Sequence, residues 1–220
     1  MKMNIVAIDG PAGAGKSTVS KLAAQKLGYT YIDTGAMYRA VALKVIRQNK
    51  PITEDLIIEI TKDIDIDLRY EDGITKVFVD GEEVTGKIRT PEVSKAASDV
   101  AKSGFVREKL TELQRKMAAR GGVIMDGRDI GTHVLPNADV KIYLTASVEE
   151  RARRRCDELK AKGYDANLDE VAKEIQQRDK QDMEREIAPL AKAEDAVLLD
   201  TTDKSIDEVV NIILNMCNKG

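Results

Sequence analysis

The chain has 220 residues, 42% hydrophobic and 33% charged, with a formal net charge of −3. That suffices for one buried core with insertions, and it argues against a protein that coats nucleic acid, which needs a broad basic surface. Aromatics at 4% with no Trp argue against a base-stacking platform, and a lone histidine, His133, excludes a His-rich metal site by count. Cys156 and Cys217 form no CxxC pattern and read as two reduced structural thiols of a cytoplasmic protein. The start "MKMNIVAIDG" has too short an apolar run for a signal peptide, and no stretch nears the ~18 apolar residues of a membrane span.

In chain order, "NIVAID" reads as a buried strand. A helix follows over 16–27 and stops at Gly28. "YTYID" is a second strand, "GAMYRAVALKVIRQN" a helix stopped by Pro51, and "TEDLIIEITKD" a short helix capped by Thr53. "DIDIDLRY" then alternates with period two, followed by a turn at "EDG", by "TKVFV" and by "DGEEV". This predicts a small antiparallel meander inserted into an otherwise alternating chain. Two helices broken near Gly104 span 91–119. "GVIMD" and "VKIYLT" are strands, and "SVEERARRRCDELKAKG" is a helix with Ser147 as N-cap and Glu150 at the capping-box position. A further helix covers 168–186, ended by Pro189. "AVLLD" is the last strand and "SIDEVVNIILNMCN" the last helix. Strands alternating with helices predict an α/β fold with a parallel sheet covered on both faces.

The stretch "GPAGAGKST", Gly10 to Thr18, fits G-x-x-x-x-G-K-[ST] between a strand and a helix. Its glycines, Gly10, Gly13 and Gly15, let backbone N–H groups converge on an anion, with Pro11, Ala12 and Ala14 between them. Lys16 is placed to reach β/γ-phosphates, and Ser17 to ligand a bridging Mg²⁺. The ligand is a nucleoside triphosphate, read as ATP. No N-K-x-D guanine reader accompanies the loop, since "NKPI" lacks the aspartate, and the chain has little room for motor machinery.

A kinase needs a second anion pocket, so arginines at loop ends carry the next step. Arg39 follows "DTGAMY". Arg128 and Asp129 lie in "DGRDIGT", at the carboxyl end of a strand, where ligands of open α/β sheets sit. Asp126 closes that strand and is placed to hold Mg²⁺ through water. Arg178, Asp182 and Arg185 share a helical face. Arg151, Arg154 and Arg155 share another and are placed to close over the triphosphate. His133 and Cys156 are assigned to packing.

Taken together, "IDGPAGAGKST", "DTGAMYRA", "IRTPEVSKAAS", "VREKL", "DGRDIGT", "RDKQDMER" and "APL" resemble the bacterial cytidylate kinases, a nucleoside monophosphate kinase family, over essentially the whole chain. The resemblance implies a P-loop fold with a five-stranded parallel sheet, an inserted small antiparallel sheet and a short lid. It implies a core of 1–34, 86–150 and 188–220, a monophosphate-binding part at 35–85 with a three-stranded sheet, and lid helices and loop at 151–187. The implied reaction is ATP + CMP ⇌ ADP + CDP with Mg²⁺, and with dCMP as second acceptor. The implied protein is a cytoplasmic monomer without nucleic-acid or membrane partners. Carried onto matching positions, Arg39, Arg128 and Arg185 hold the acceptor phosphate, and Arg178 and Asp182 the ribose hydroxyls. Ser98, Arg107 and Asp129 face cytosine, and Arg154 and Arg155 meet the transferring phosphoryl group. Thr34, in the CMP-binding set, stands where the family often has serine and keeps the hydroxyl. Two rivals remain at this stage: a kinase for another acceptor, and a slow nucleotide-dependent switch, which would not need the second anion pocket.

Overall fold

A computed structural model describes residues 3–71 and 74–218. Contacts divide the chain into two compact units, Met1–Tyr29 with Gly121–Gly220, and Thr30–Arg120. In chain order the elements are β1 Ile5–Asp9, α1 Lys16–Leu27, β2 Thr30–Asp33, α2 Thr34–Ile46, α3 Glu54–Lys62, β3 Ile66–Glu71, β4 Ile74–Val79, β5 Glu82–Glu83, α4 Pro91–Val100 and α5 Gly104–Ala118. They continue as β6 Val123–Gly127, β7 Val140–Thr145, α6 Val148–Ala161, α7 Leu168–Glu184, β8 Val197–Asp200 and α8 Ile206–Asn218.

The larger sheet has five strands in the order β2-β6-β1-β7-β8, and the pairs β1–β6, β1–β7 and β7–β8 are parallel. Its central strand is apolar on both faces, as a covered parallel strand must be: Val6, Ala7 and Ile8 are fully buried, with Ile124, Met125 and Leu144 beside them. The smaller sheet, β3-β4-β5, is antiparallel. The expected five-stranded core and the inserted meander are therefore both present. Of the expected turn at 71–73, residues 72 and 73 lie outside the described residues.

The Thr30–Arg120 unit has its own core, in which Met37, Val41, Val45, Val79, Val100 and Leu110 meet. Its helices start on side-chain oxygens: Asp33 accepts from Ala36 N–H, Thr53 from Leu56, Thr90 from Val93 and Ser103 from Val106. In the other unit, α6 and α7 pack through Cys156, Val171 and Ile175. Cys156 and Cys217 are both buried and free, and burial pushes the Cys217 thiol up to about 11.

Three local expectations are corrected. Ser147 does cap α6, accepting from Glu150 N–H at 3.2 Å. The reciprocal half of the box is missing, because Glu150 binds Arg153 and Arg154, while Ser147 N–H donates to Thr202 Oγ1 at 3.0 Å. Helix α7 ends at Glu184 rather than 186, and Arg185 already has an extended ψ of 143. His133 is exposed, on the wide turn Ile130–Val134, and not a packing residue.

Candidate active site

The phosphate loop runs from the end of β1 into α1. Gly10 has φ 149, and a Cβ there would lie 1.9 Å from the Leu144 carbonyl oxygen, so no other residue fits without moving β7. Gly13 is left-handed at φ 77, and its Cβ would meet Arg151 at 3.1 Å. The carbonyls of Gly10, Pro11, Ala12 and Ala14 in this loop are held by side chains. Lys16 Nζ donates to Gly10 O at 2.7 Å and to Pro11 O at 2.8 Å. Arg151 Nη1 donates to Ala12 O at 3.0 Å, and Thr201 Oγ1 and Arg154 Nη1 reach Ala14 O at 3.4 and 3.5 Å. A peptide is planar and trans, so a carbonyl anchored on one side turns the following N–H to the other. The Gly13 and Gly15 N–H groups are thereby turned away from the anchored carbonyls, and both glycines have the positive φ that an anion-binding nest uses.

Lys16 is the charge at the centre. Burial pushes its ammonium well below the usual range, Arg128 adds to the shift, and Asp126, Asp9 and Asp182 oppose it. Asp9, which closes β1, was not among the expected site residues. It is 4% exposed, and its carboxylate accepts from Ile130 N–H at 2.8 Å and Gly131 N–H at 2.7 Å. Burial raises it from 3.8 to about 6 in spite of those two donors. Asp9 so ties the loop to the segment that carries Arg128 and Asp129.

Ser17, on the first turn of α1, donates from Oγ to Asp126 Oδ2 at 3.0 Å. A hydroxyl and a carboxylate side by side at a phosphate cradle fit Mg²⁺, which takes one or two protein oxygens and fills its remaining positions with water and phosphate. Among the described residues there is no cluster of three His, Cys, Asp or Glu able to hold a metal alone, and a phosphate-completed site does not require one.

Beside the loop lies a half-buried cluster of alternating charge. Arg128 Nε donates to Asp182 Oδ2 at 2.8 Å. Arg185 pairs with Asp182 at 3.5 Å and with Asp129 at 3.7 Å, while its Nε donates to Ala188 O at 2.7 Å. Burial alone would raise Asp182, but Arg128, Arg178 and Arg185 outweigh it and hold the carboxyl below its usual value. Burial likewise works against the Arg128 charge, and Asp182 more than restores it. Ala188 adopts φ 47, an uncommon conformation for a residue with a Cβ, in the turn that holds Arg185.

Within the Thr30–Arg120 unit, Asp33 both caps α2 and takes Arg39 Nη2 at 3.0 Å. Thr34 is buried at the head of that helix. Arg107 is buried on α5, donates to Ala101 O at 3.2 Å and lies 5.6 Å over the Tyr38 ring. Ser98 is half-buried on α4.

The structure thus brings Gly10–Thr18, Asp126, Arg128, Asp129, Asp182 and Arg185 into one unit. The arginines of the basic run of α6 each make different contacts here. Arg151 is turned inward beneath the loop, Arg154 reaches Ala14 and Thr201, and Arg155 pairs with Glu158 at 2.7 Å. Sequence reasoning missed Asp9, Asp33, Asp179 and Thr201. For Asp9 and Asp33 the available signal was a carboxylate ending an apolar strand just before a glycine-containing turn.

A strand, phosphate-binding loop and helix set in an open parallel sheet define the P-loop kinase fold. Solved structures share that fold. An uncharacterized protein from Eubacterium ventriosum has a TM-score of 0.54 at 13% identity, covering 99% of both chains. A shikimate kinase from Bacteroides thetaiotaomicron has a TM-score of 0.50 at 15% identity, covering 98% of this chain and 99% of its own. The particular family comes from sequence: the profile described as cytidylate kinase matches residues 6–219. A cytidylate kinase from Caldicellulosiruptor bescii is 57% identical over 100% of this chain and 97% of its own, and one from Bacillus cereus is 52% identical over 96% and 94%. The chain belongs to the cytidylate kinase family.

Proposed function

We propose that the protein transfers the γ-phosphoryl group of ATP to CMP and dCMP, giving ADP with CDP or dCDP. The observation that carries this reading is that Lys16, held at the phosphate loop on Gly10 O and Pro11 O, and Arg128, held by Asp182 at 2.8 Å, are near enough for the guanidinium to push the Lys16 ammonium down. Two anion-binding groups side by side suit a reaction that joins two phosphates, and a nucleotide switch would need only the first.

In this reading Gly10–Thr18 hold ATP, and Ser17, with Asp126 through water, holds Mg²⁺. When bound, Mg²⁺ supplies charge neutralisation across the β- and γ-phosphates. Arg39, Arg128 and Arg185 take the acceptor phosphate, Arg178 and Asp182 the ribose, and Ser98, Arg107 and Asp129 the cytosine. Thr34, through its hydroxyl, joins the CMP-binding residues. Residues 35–85 serve monophosphate binding, and the α6–α7 hairpin within 151–187 serves as lid, where Arg154 and Arg155 meet the transferring group. No side chain acts as nucleophile. The acceptor oxygen attacks the γ-phosphorus in line, and the chain contributes alignment and positive charge. Two buried cysteines without a disulfide fit the reducing cytoplasm that this reading implies.

The test is an acceptor panel of CMP, dCMP, UMP and AMP with Mg·ATP, with chromatographic detection of diphosphates. CMP and dCMP should react. Uracil reverses the donor pattern that Asp129 and Arg107 would read, and UMP should be disfavoured by up to about 10⁴ in kcat/KM. Equal efficiency on UMP and CMP would refute the base assignment. ATP binding without any diphosphate product would favour a switch.

A further inference from the structure

Arg151 holds the Ala12 carbonyl beneath the phosphate loop, and with Asp179 it forms one of the most buried ion pairs of the unit. Arg151 Nη1 lies 2.6 Å from Asp179 Oδ2, with side-chain exposures of 5% and 8%. The same Nη1 donates to Ala12 O at 3.0 Å, and Nε donates to Ala146 O at 3.0 Å. These three bonds fix the guanidinium plane. It sets the direction of the Ala12 carbonyl and, through peptide planarity, that of the Gly13 N–H in the phosphate nest. On its other side the pair enters α7. Asp179 directly follows Arg178 and precedes by three residues Asp182, which Arg128 holds at 2.8 Å. Asp179 also keeps its Oδ1 buried with no hydrogen-bond partner among the described residues.

We infer that Arg151 and Asp179 are positioning residues that couple the acceptor-facing helix α7 to the shape of the phosphate loop, so that acceptor and donor bind with positive cooperativity. This rests on the functional reading above, in which Arg178 and Asp182 take the acceptor ribose. An acceptor that orders those side chains fixes the helical turn carrying Asp179. Asp179 in turn holds Arg151 on Ala12 O, and the Gly13 N–H stays aimed at the donor phosphates. Coupling of this kind is reciprocal: whatever factor CMP applies to donor affinity, the donor applies to CMP.

The test is calorimetric titration of a non-hydrolysable ATP analogue with Mg²⁺, with and without saturating CMP, on the wild type, Asp179→Asn and Arg151→Lys. The expected wild-type result is a roughly tenfold gain in analogue affinity from CMP, and the reverse titration should return the same factor. In Asp179→Asn the factor should fall to less than about twofold, while the protein remains folded by circular dichroism. Arg151→Lys keeps the charge but cannot reach Asp179, Ala12 O and Ala146 O together, and it carries the test if Asp179→Asn fails to fold. A merely structural role would lower affinity or melting temperature and leave the factor unchanged. An unchanged factor in a folded variant overturns the inference, as does a factor of one in the wild type. A wild type that neither binds CMP nor forms CDP would sink the functional reading itself, and CDP formation distinguishes that failure from the loss of coupling alone.

Discussion

The phosphate loop and the arginine cluster beside it are held in opposite ways. In the loop, cations and a hydroxyl hold carbonyl oxygens: Lys16 on Gly10 and Pro11, Arg151 on Ala12, Thr201 on Ala14. These partners are dipoles, and what they leave presented is backbone N–H. In the cluster, full negative charges hold the guanidinium groups: Asp182 on Arg128, and Asp129 with Asp182 on Arg185. Asp33 on Arg39 repeats the pattern within the Thr30–Arg120 unit. A loop held by dipoles is shaped before its ligand arrives. An arginine held by a carboxylate is kept in place and neutralised, and an incoming phosphate must share it. Loss of a loop cation should therefore act on the chemical step. Loss of a cluster arginine should act on acceptor capture and also leave a buried carboxylate uncompensated.

The largest expected effect is at Lys16. Its two carbonyl bonds are to neutral acceptors, which a triphosphate can replace with full charge, and no other side chain of the loop is charged. Lys16→Ala should lower kcat about 10³-fold, in the range found when one preorganised electrostatic group is removed, with little change in KM for CMP. A turnover assay that finds both constants near wild type would erase the distinction between loop and cluster.

Asp9 sits at the junction of the two regions and makes the next prediction. Its folded carboxyl is raised from 3.8 to about 6, with burial as the main cause, Asp129 adding to it, and Lys16 and two backbone N–H groups opposing. A carboxyl raised on folding contributes stability that is complete below the unfolded value and is lost as pH rises through the folded one. The window is therefore about pH 4 to 6, and the loss is at most about 3 kcal/mol. Other carboxyls, Asp182 among them, are lowered and slope the other way, so the readout is a difference. The stability of the wild type minus that of Asp9→Asn should decline across this window. A flat difference would show that the Asp9 carboxyl is not raised on folding.

Arg185→Ala probes the cluster. We expect kcat/KM for CMP to fall about 10²-fold, on the order of 3 kcal/mol for a truncated partner of buried charges. The melting temperature should drop as well, because Asp129 and Asp182 each lose a counter-charge. A loss of activity with no loss of stability would mean that the carboxylates find other partners, and the contrast with the loop would weaken.

How much of this was legible in the sequence depends on whether the determining contact is local. The phosphate loop, the strands and the caps at Thr53 and Ser147 follow from a few adjacent residues, and the structure has them. The arginines of "RARRR" look equivalent in a helical pattern. What separates Arg151 from Arg155 is the Ala12 carbonyl, which lies far away in sequence and meets only the former. Glu150 had the right spacing for a capping box, but Arg153 and Arg154 offer charge-assisted bonds that outcompete a single backbone N–H, and distant Thr202 takes that N–H instead. Asp9 was visible as a residue but not as a clasp, because its partners are main-chain groups beyond β6 and carry no side-chain signature.

The smallest expected effect sharpens the comparison most, because it tests whether the loop's support is distributed. Thr201 follows β8 and makes several bonds at once. Its Oγ1 donates toward Thr145 O at 3.0 Å and Ala14 O at 3.4 Å, and it accepts from Arg154 Nη1 at 3.0 Å. One hydroxyl proton cannot serve both carbonyls fully, so Thr145 takes the better share and Ala14 a weak one. Thr201→Val keeps the shape and removes the hydroxyl. Arg154 retains Thr201 O at 2.8 Å and Glu150, so its guanidinium stays near the loop. The expected cost is about 1 kcal/mol of stability, typical of a lost neutral hydrogen bond. KM for ATP should rise roughly twofold to fivefold, with kcat and KM for CMP unchanged. A loop shaped by many dipolar ties should yield this little to the loss of any one of them, whereas a cluster of paired charges cannot lose a member so cheaply. A tenfold or larger fall in kcat from Thr201→Val would place the loop in the same class as the cluster.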